Sequence, residues 1–446
     1  MSFFIPRKFW FLGRHPGEGR GPVGKTYFKR PIESLDPGFR RDDGVKKLRW
    51  SFALLFCVTV ASWSLHAEVK TGLDVLEENN FAPLWGKRVA VLVNYAAVDR
   101  KGRHLVDLLR EAPGVTLVAV FTPEHGFSGK IEHGQPVSDS VLPGTAIPIL
   151  SLYGGQKRPT PEQLKNVDVL VCDLPDVGAR FYTYITTLGY AMEEAAKADL
   201  EFVVLDRPNP LGGDGVEGLV LSTDVRHFTA YYSIPTRHGL TLAEVAGWHN
   251  NRAGLNARFL PILMQNWKRW MIWRDTGLKF LPPSPNIPTP EAALLYSGLG
   301  AFEATNVSVG RGTATPFELI GAPWIKNIAL AQALSKKKLP GLKVKATHFT
   351  PTSDLYKNKR CDGIRVTVTN LYVARPVDLF VHLACLLRDA SPKEFQPRWA
   401  EMPRVVGSAD FETWFKAGES PEVILEKIHK SAEDFKEERK PFLLYP

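Results

Sequence analysis

Cysteine is scarce in this chain, with four in 446 residues. Cys57 lies in an apolar run near the N-terminus, which leaves Cys172, Cys361 and Cys385 and no CxxC pair. That excludes a disulfide framework or a zinc site of usual spacing and leaves room for one bridge at most. Cys172 sits in a strand-like run and Cys385 in an apolar helical pattern, so these thiols are expected in the core. No GxGxxG follows the first strand-like run and no GxxxxGK[ST] occurs, so the phosphate cradles of dinucleotide and P-loop sites are missing. The GGDG cluster, Gly212 to Gly215, reads as a turn. No HxH or HExxH appears, and no cofactor is expected. One-sided charge is also lacking from most of the chain. The formal net charge is +9, but residues 1–67 carry 12 Lys/Arg against 5 Asp/Glu, and the remainder carries 44 against 42. A near-neutral body gives no support to nucleic-acid binding.

The basic N-terminal segment reads as an export signal. Lys46, Lys47 and Arg49 precede the apolar run Trp50 to Trp63, and SLHA ends at Ala67, a small residue suited to cleavage. A run of about 14 residues is short for a membrane span, which needs about 20. The expectation is a signal peptide over residues 45–67 and a periplasmic or secreted protein. Residues 1–44, rich in Gly, Pro and Arg without apolar periodicity, are expected to be a disordered or non-native leader, with the true start near Val45.

Beyond residue 67 the composition is that of a globular chain, without repeats or low-complexity tracts. Short Val/Leu runs alternate with amphipathic segments: RVAVLVN (Arg88 to Asn94), HLVDLLREA (His104 to Ala112), VTLVAVF (Val115 to Phe121), VDVLVCDL (Val167 to Leu174), TYITTLGYAMEEAAKA (Thr183 to Ala198) and LEFVVLD (Leu200 to Asp206). Continuous apolar strands separated by helices predict a parallel sheet covered on both faces. The expected fold is α/β, a Rossmann-like domain over residues 69–285. The Pro-rich stretch Leu281 to Ala293 reads as a stiff connector, followed by a smaller α+β domain over residues 292–446. Strands are expected there near Leu342 to Phe349 and Gly363 to Thr369.

In an open α/β sheet, ligands bind at the carboxyl ends of the strands. Polar residues recur at those ends: Asn94, then Glu124 and His125, then Asp173 and Asp176, then Asp206, Arg207 and Asn209. Any one of them could serve as an Asx turn or helix cap; together they favour a site. Glu124 and His125, in TPEHGF (Thr122 to Phe127), combine two proton-carrying side chains with a sharp turn at Gly126.

Six phrases occur in order: PEHGF, DVGARFYTY (Asp176 to Tyr184), LDRPNPLGG (Leu205 to Gly213), RHGLT (Arg237 to Thr241), PSPNIPT (Pro283 to Thr289) and TNVSVGRGT…PFE (Thr305 to Glu318). Together they resemble the NamZ-type exo-β-N-acetylmuramidases, glycoside hydrolase family 171, over nearly all of the chain from Gly72 onward. Pro175 departs from the family pattern, where glutamine is expected, and touches loop geometry rather than a catalytic group. The resemblance implies a Rossmann-like domain paired with a smaller one. It also implies release of N-acetylmuramic acid from the non-reducing end of peptidoglycan fragments, with the glutamate of PEHGF as a catalytic group.

Glycoside hydrolysis generally uses two carboxyl groups. Glu124 is the first. Glu217, after the GGDG turn, and Glu193, in the helix after DVGARFYTY, are the leading choices for the second, with Asp176 behind them and Asp206 also at a strand end. N-acetylmuramic acid carries a lactyl carboxylate, which calls for a planar bidentate donor. Arg180, Arg207, Arg237 and Arg311 lie within the matching phrases, and at least one is expected to contact it, with others structural. Tyr182 and Tyr184 could stack on the sugar or pack the core. His125, His238, Asn209, Asn286 and Asn306 could hold its hydroxyl or acetamido groups. Two other readings stand beside this one. A non-catalytic muropeptide-binding protein would use the same cleft. A metal-dependent cell-wall deacetylase or amidase would draw on His125, His133, Asp173 and His238, whose spacing matches no short metal motif.

Overall fold

Six parallel strands and one antiparallel edge strand build the main sheet of the computed structural model, which describes residues 68–446 apart from His133. The expected leader (1–44) and signal peptide (45–67) lie outside the described residues. The strands are β1 (Arg88–Val93), β2 (Thr116–Thr122), β3 (Ser140–Val141), β4 (Pro148–Ser151), β5 (Val169–Asp173), β6 (Glu201–Leu205) and β7 (Arg258–Ile262). They are ordered β3-β4-β2-β1-β5-β6-β7, with only the β3–β4 pair antiparallel. Leaving β3 aside, this is the doubly wound order of the Rossmann fold, with its switch point between β1 and β5.

The alternation of side chains along each strand divides the apolar residues between two faces. Val89, Val91, Val93, Val169, Val171 and Val203 pack with Leu73 and Leu76 of the Gly72–Glu78 helix and with Leu105 and Leu109 of the Leu105–Glu111 helix. Ala90, Leu92, Leu170, Cys172, Phe202 and Val204 face the Thr183–Lys197 and Leu242–Arg252 helices. Burial of each such Val, Leu or Phe side chain contributes about 1.5–3 kcal/mol. Strands β4 and β7 are absent from the sequence-based reading. Each is short, sits towards a sheet edge and contains a proline (Pro148, Pro261), which weakens the strand pattern.

The second sheet is antiparallel, β8 (Leu319–Ala322), β10 (Cys361–Val368) and β9 (Leu342–Phe349), in the order β8-β10-β9. Its Ile320, Ile364 and Val366 belong to the same apolar cluster as Leu92 and Phe202, so the two halves share one core. Cys172, Cys361 and Cys385 are buried and unbridged.

The Pro-rich stretch does more than connect. The hydroxyl of Tyr95 donates to the Pro282 carbonyl, and those of Tyr182 and Tyr184 lie 3.2 and 3.0 Å from the Pro283 carbonyl. Proline carbonyls accept hydrogen bonds while proline nitrogens offer none. Three tyrosines thereby hold the connector against the carboxyl edge of the sheet.

Candidate active site

The chain leaves β2 through a tight turn. His125 and Gly126 both adopt left-handed backbone, φ 71° and 69°. At a non-glycine residue that conformation costs about 1–3 kcal/mol and is a hallmark of functional turns. His125 is held there by its own ring: Nδ1 lies 2.6 Å from the Ile131 carbonyl, which can only accept, so Nδ1 carries the hydrogen.

The turn places Glu124 under the sheet edge, 3% exposed. The Gly134 N–H donates to Oε1 at 3.2 Å, and the Thr183 hydroxyl donates to Oε2 at 2.7 Å. The Tyr153 phenol also hydrogen-bonds this carboxyl; burial and then the Glu124 charge push that phenol's pKa up, keeping it a donor. Thr183 is the first residue of the Thr183–Lys197 helix, so the partially positive helix end is turned towards Glu124. Neither Tyr153 nor Thr183 was singled out from sequence. Thr183 lies inside DVGARFYTY and could have been found there; Tyr153 carries no local signal.

Glu124 and His125 open onto a cleft of about 250 Å³, with Tyr182, Asn286 and Arg311 also in its wall. Its other charged lining residues are Glu303, Glu401 and Arg404. Arg311 Nε stands 2.5 Å from Glu303 Oε1 and 3.8 Å from Asp354, and its guanidinium lies 5.4 Å from the Phe317 ring. Glu401 turns to Arg398, 2.9 Å away. The Tyr182 ring packs on Tyr184 at 4.6 Å and edge-on to Tyr296.

Glu217 and Glu193 do not line this cleft. Glu217 is buried in an ion pair with Arg237 (2.7 Å), and the Val377 N–H donates to it. Arg237 also donates to the Leu211 carbonyl, so the pair braces the fold. Glu193 accepts hydrogen bonds from Arg158, Tyr231 and His249. Burial works against its charge, but those three partners outweigh it and hold the carboxyl at about 2. The second carboxyl in the cleft itself is Glu303 or Glu401, on segments that no strand-end argument reaches.

Several other residues expected to bind substrate have structural partners. Arg180 is fully buried and opposes no carboxylate; it donates to the carbonyls of Leu219, Ile234, Arg404 and Val405. Arg207 grips buried Asp173 with two hydrogen bonds. Asn209 bridges the Leu240 carbonyl and the Leu211 N–H, and Asn306 bridges the Glu394 carbonyl and the Gln396 N–H. His238 Nδ1 accepts from the Leu240 N–H, and its Nε2 lies 3.5 Å from Asp176. Asp176 and Arg207 border a separate cleft of about 590 Å³ beside the β1 and β5 ends, at the switch point. His125, Asp173 and His238 thus have three separate partners, and His133 lies outside the described residues. Among the described residues no cluster of three or more His, Cys, Asp or Glu could hold a metal ion.

Asp206 is also outside the cleft. Its Oδ1 accepts from the Ala243 N–H and its Oδ2 from the Tyr445 hydroxyl at 2.6 Å. Burial raises its pKa to about 7 despite those donors. The folded state therefore binds a proton that the unfolded state, with a pKa of about 3.9, releases. Stability from this group is full below that value and is lost as pH rises towards 7, by up to about 1.4 kcal/mol per pH unit. Urea unfolding of the wild type and Asp206→Asn at pH 5 and pH 7 checks this. The variant should gain on the wild type with rising pH, and parallel profiles would exclude the shift.

A buried carboxylate with several donors, at the edge of a Rossmann-like sheet and opening on a cleft, suits acid–base chemistry, and the family that the chain matches makes it a glycoside hydrolase. The chain belongs to the exo-β-N-acetylmuramidase NamZ family, matching its N-terminal domain over residues 89–291 and its C-terminal domain over residues 294–445. It is 40% identical over 379 residues to the peptidoglycan β-N-acetylmuramidase NamZ of Bacillus subtilis (strain 168), covering 85% of this chain and 92% of the relative. Crystal structures of two DUF1343 family proteins from Bacteroides fragilis superpose with TM-scores of 0.80 and 0.67, at 34% and 29% identity. Each match covers 85% of this chain and 99% of the other.

Proposed function

We propose that this protein is an exo-acting β-N-acetylmuramidase that removes N-acetylmuramic acid from the non-reducing end of peptidoglycan fragments, with Glu124 as the group that moves the proton. The carrying observation is the placement of Glu124, fixed by Thr183, Tyr153 and the Gly134 N–H at the floor of the cleft. Family membership and the activity named for the B. subtilis relative support the substrate class. The cleft, at about 250 Å³, is small beside the roughly 300–1,000 Å³ of drug-sized sites, which suits one terminal sugar better than a chain bound along its length. Glu303, braced by Arg311, is the second carboxyl of the reaction in this reading. The export signal expected over residues 45–67 would bring the enzyme to the cell envelope, where its substrate lies.

The test is release of free N-acetylmuramic acid from the disaccharide MurNAc–GlcNAc, with and without EDTA. Turnover that persists in EDTA supports the reading. Binding without turnover would favour a muropeptide-binding protein, and loss of turnover in EDTA would revive the metal-dependent alternative. Fractionation of cells making the full chain tests the location; recovery only from the cytoplasm would refute export.

A further inference from the structure

A muramidase must tell N-acetylmuramic acid from N-acetylglucosamine, and the difference is a lactyl ether ending in a carboxylate. Resting on the muramidase reading, we propose that Arg404 is the residue that binds this lactyl carboxylate and sets the specificity of the cleft.

The four arginines within the family phrases are already committed. Arg207 is paired with Asp173, Arg237 with Glu217, and Arg180 is surrounded by backbone carbonyls. Arg311 lines the cleft, but Glu303 in the same wall compensates its charge at 2.5 Å. Arg404 is the lining cation left over. It is half-buried, and among the described residues no side-chain hydrogen bond or ion pair engages its guanidinium. The nearest acid in sequence, Glu401, is turned to Arg398 instead. A guanidinium kept at a cleft wall without a counter-ion matches a ligand that supplies one, and its planar fork suits a carboxylate.

The backbone beneath Arg404 is anchored. The Arg404 and Val405 carbonyls both accept from the Arg180 guanidinium, and the Ser222 N–H donates to Gly407 at 2.8 Å. Arg180 thereby acts as a positioning residue: its motif lies beside Glu124 in the fold, and its side chain fixes the segment that presents Arg404. A second cation, Lys157, lies on the same side. At exposed His227, burial and then the charges of Arg404 and Lys157 push the imidazole pKa down, which places both cations near the hairpin that carries the cleft residue Thr229.

The test pairs a change in the enzyme with a change in the substrate. A chromogenic β-glycoside of N-acetylmuramic acid and its lactyl methyl ester are compared on the wild type, Arg404→Gln and Arg404→Lys. A hydrogen-bonded charge pair is worth roughly 10- to 100-fold. The wild type should prefer the acid over the ester in kcat/KM by a factor of that order. In Arg404→Gln the acid-to-ester ratio should fall to near one, and lysine should recover part of it. Melting temperatures should stay close to wild type, because the guanidinium braces nothing internal. A ratio unchanged in Arg404→Gln, or an equal loss on both substrates, would overturn the assignment. If the wild type turns over neither glycoside, it is the muramidase reading that fails. Arg404 is then judged by calorimetric binding of free N-acetylmuramic acid against N-acetylglucosamine: a preference lost in Arg404→Gln supports it, and a preference retained overturns it.

Discussion

Glu124→Gln is expected to lower kcat for N-acetylmuramic acid release by a factor of about 10² to 10⁴, the usual contribution of a positioned proton-transfer group. The fold should tolerate the change. Glutamine keeps the shape, and the hydroxyls of Thr183 and Tyr153 can rotate to accept from its amide where they now donate to the carboxylate. KM should move little, since the walls that hold the sugar are untouched. The informative comparison is with the other carboxylates. Glu303→Gln should also cost kcat, because that group shares the cleft. Glu193→Gln should leave kcat within a few-fold of wild type, because its partners Arg158, Tyr231 and His249 lie outside the lining. Steady-state kinetics on one disaccharide, with binding of the sugar to each variant measured separately, decides among them. Full activity in Glu124→Gln would remove this residue from the mechanism.

Arg180→Leu is expected to be the most destabilising single change near the site. The guanidinium is completely buried, and it serves carbonyls on three segments: Leu219 (3.2 Å), Ile234 (3.1 Å), and Arg404 and Val405 (3.4 and 2.8 Å). Leucine fills much of the volume but donates nothing. Each buried carbonyl left without a donor costs about 1–3 kcal/mol. A total loss above about 4 kcal/mol is therefore expected, in the range reserved for breaking a buried polar network. For a folded body of this size that corresponds to a drop in Tm of roughly 5 °C or more. Activity should fall along with stability, because the Arg404 segment loses its anchor. Scanning calorimetry checks the first effect and kinetics well below the melting range checks the second. A Tm within about 1 °C of wild type would show that the carbonyls find other donors.

The run VTLVAVF and the turn after it place Glu124 at a strand end from local pattern alone, and the structure carries β2 to Thr122, immediately before that turn. Strand β9 occupies the expected Leu342 to Phe349, and β10 starts two residues earlier than read. Strands β4 and β7 were missed because their prolines weaken the strand pattern and their pairing comes from neighbours distant in sequence.

Arg180, Arg207, Arg237 and Arg311 look alike in a sequence, since each is a cation among polar and glycine residues. What separates them is the partner each meets in space: carbonyls, Asp173, Glu217 and Glu303 respectively. Arg404 and Glu303 carry no local signal at all.

By itself the sequence determined the doubly wound α/β class, the strand end that bears Glu124 and the family, because apolar periodicity, turns and ordered motifs are properties of neighbouring residues. The tertiary structure alone decided which carboxyl groups share the cleft and which guanidinium there lacks a counter-ion. It also showed that the Pro-rich stretch forms a wall of the site. Those outcomes depend on distances and burial between segments remote along the chain, where charge pairing and desolvation are settled only once the core has closed.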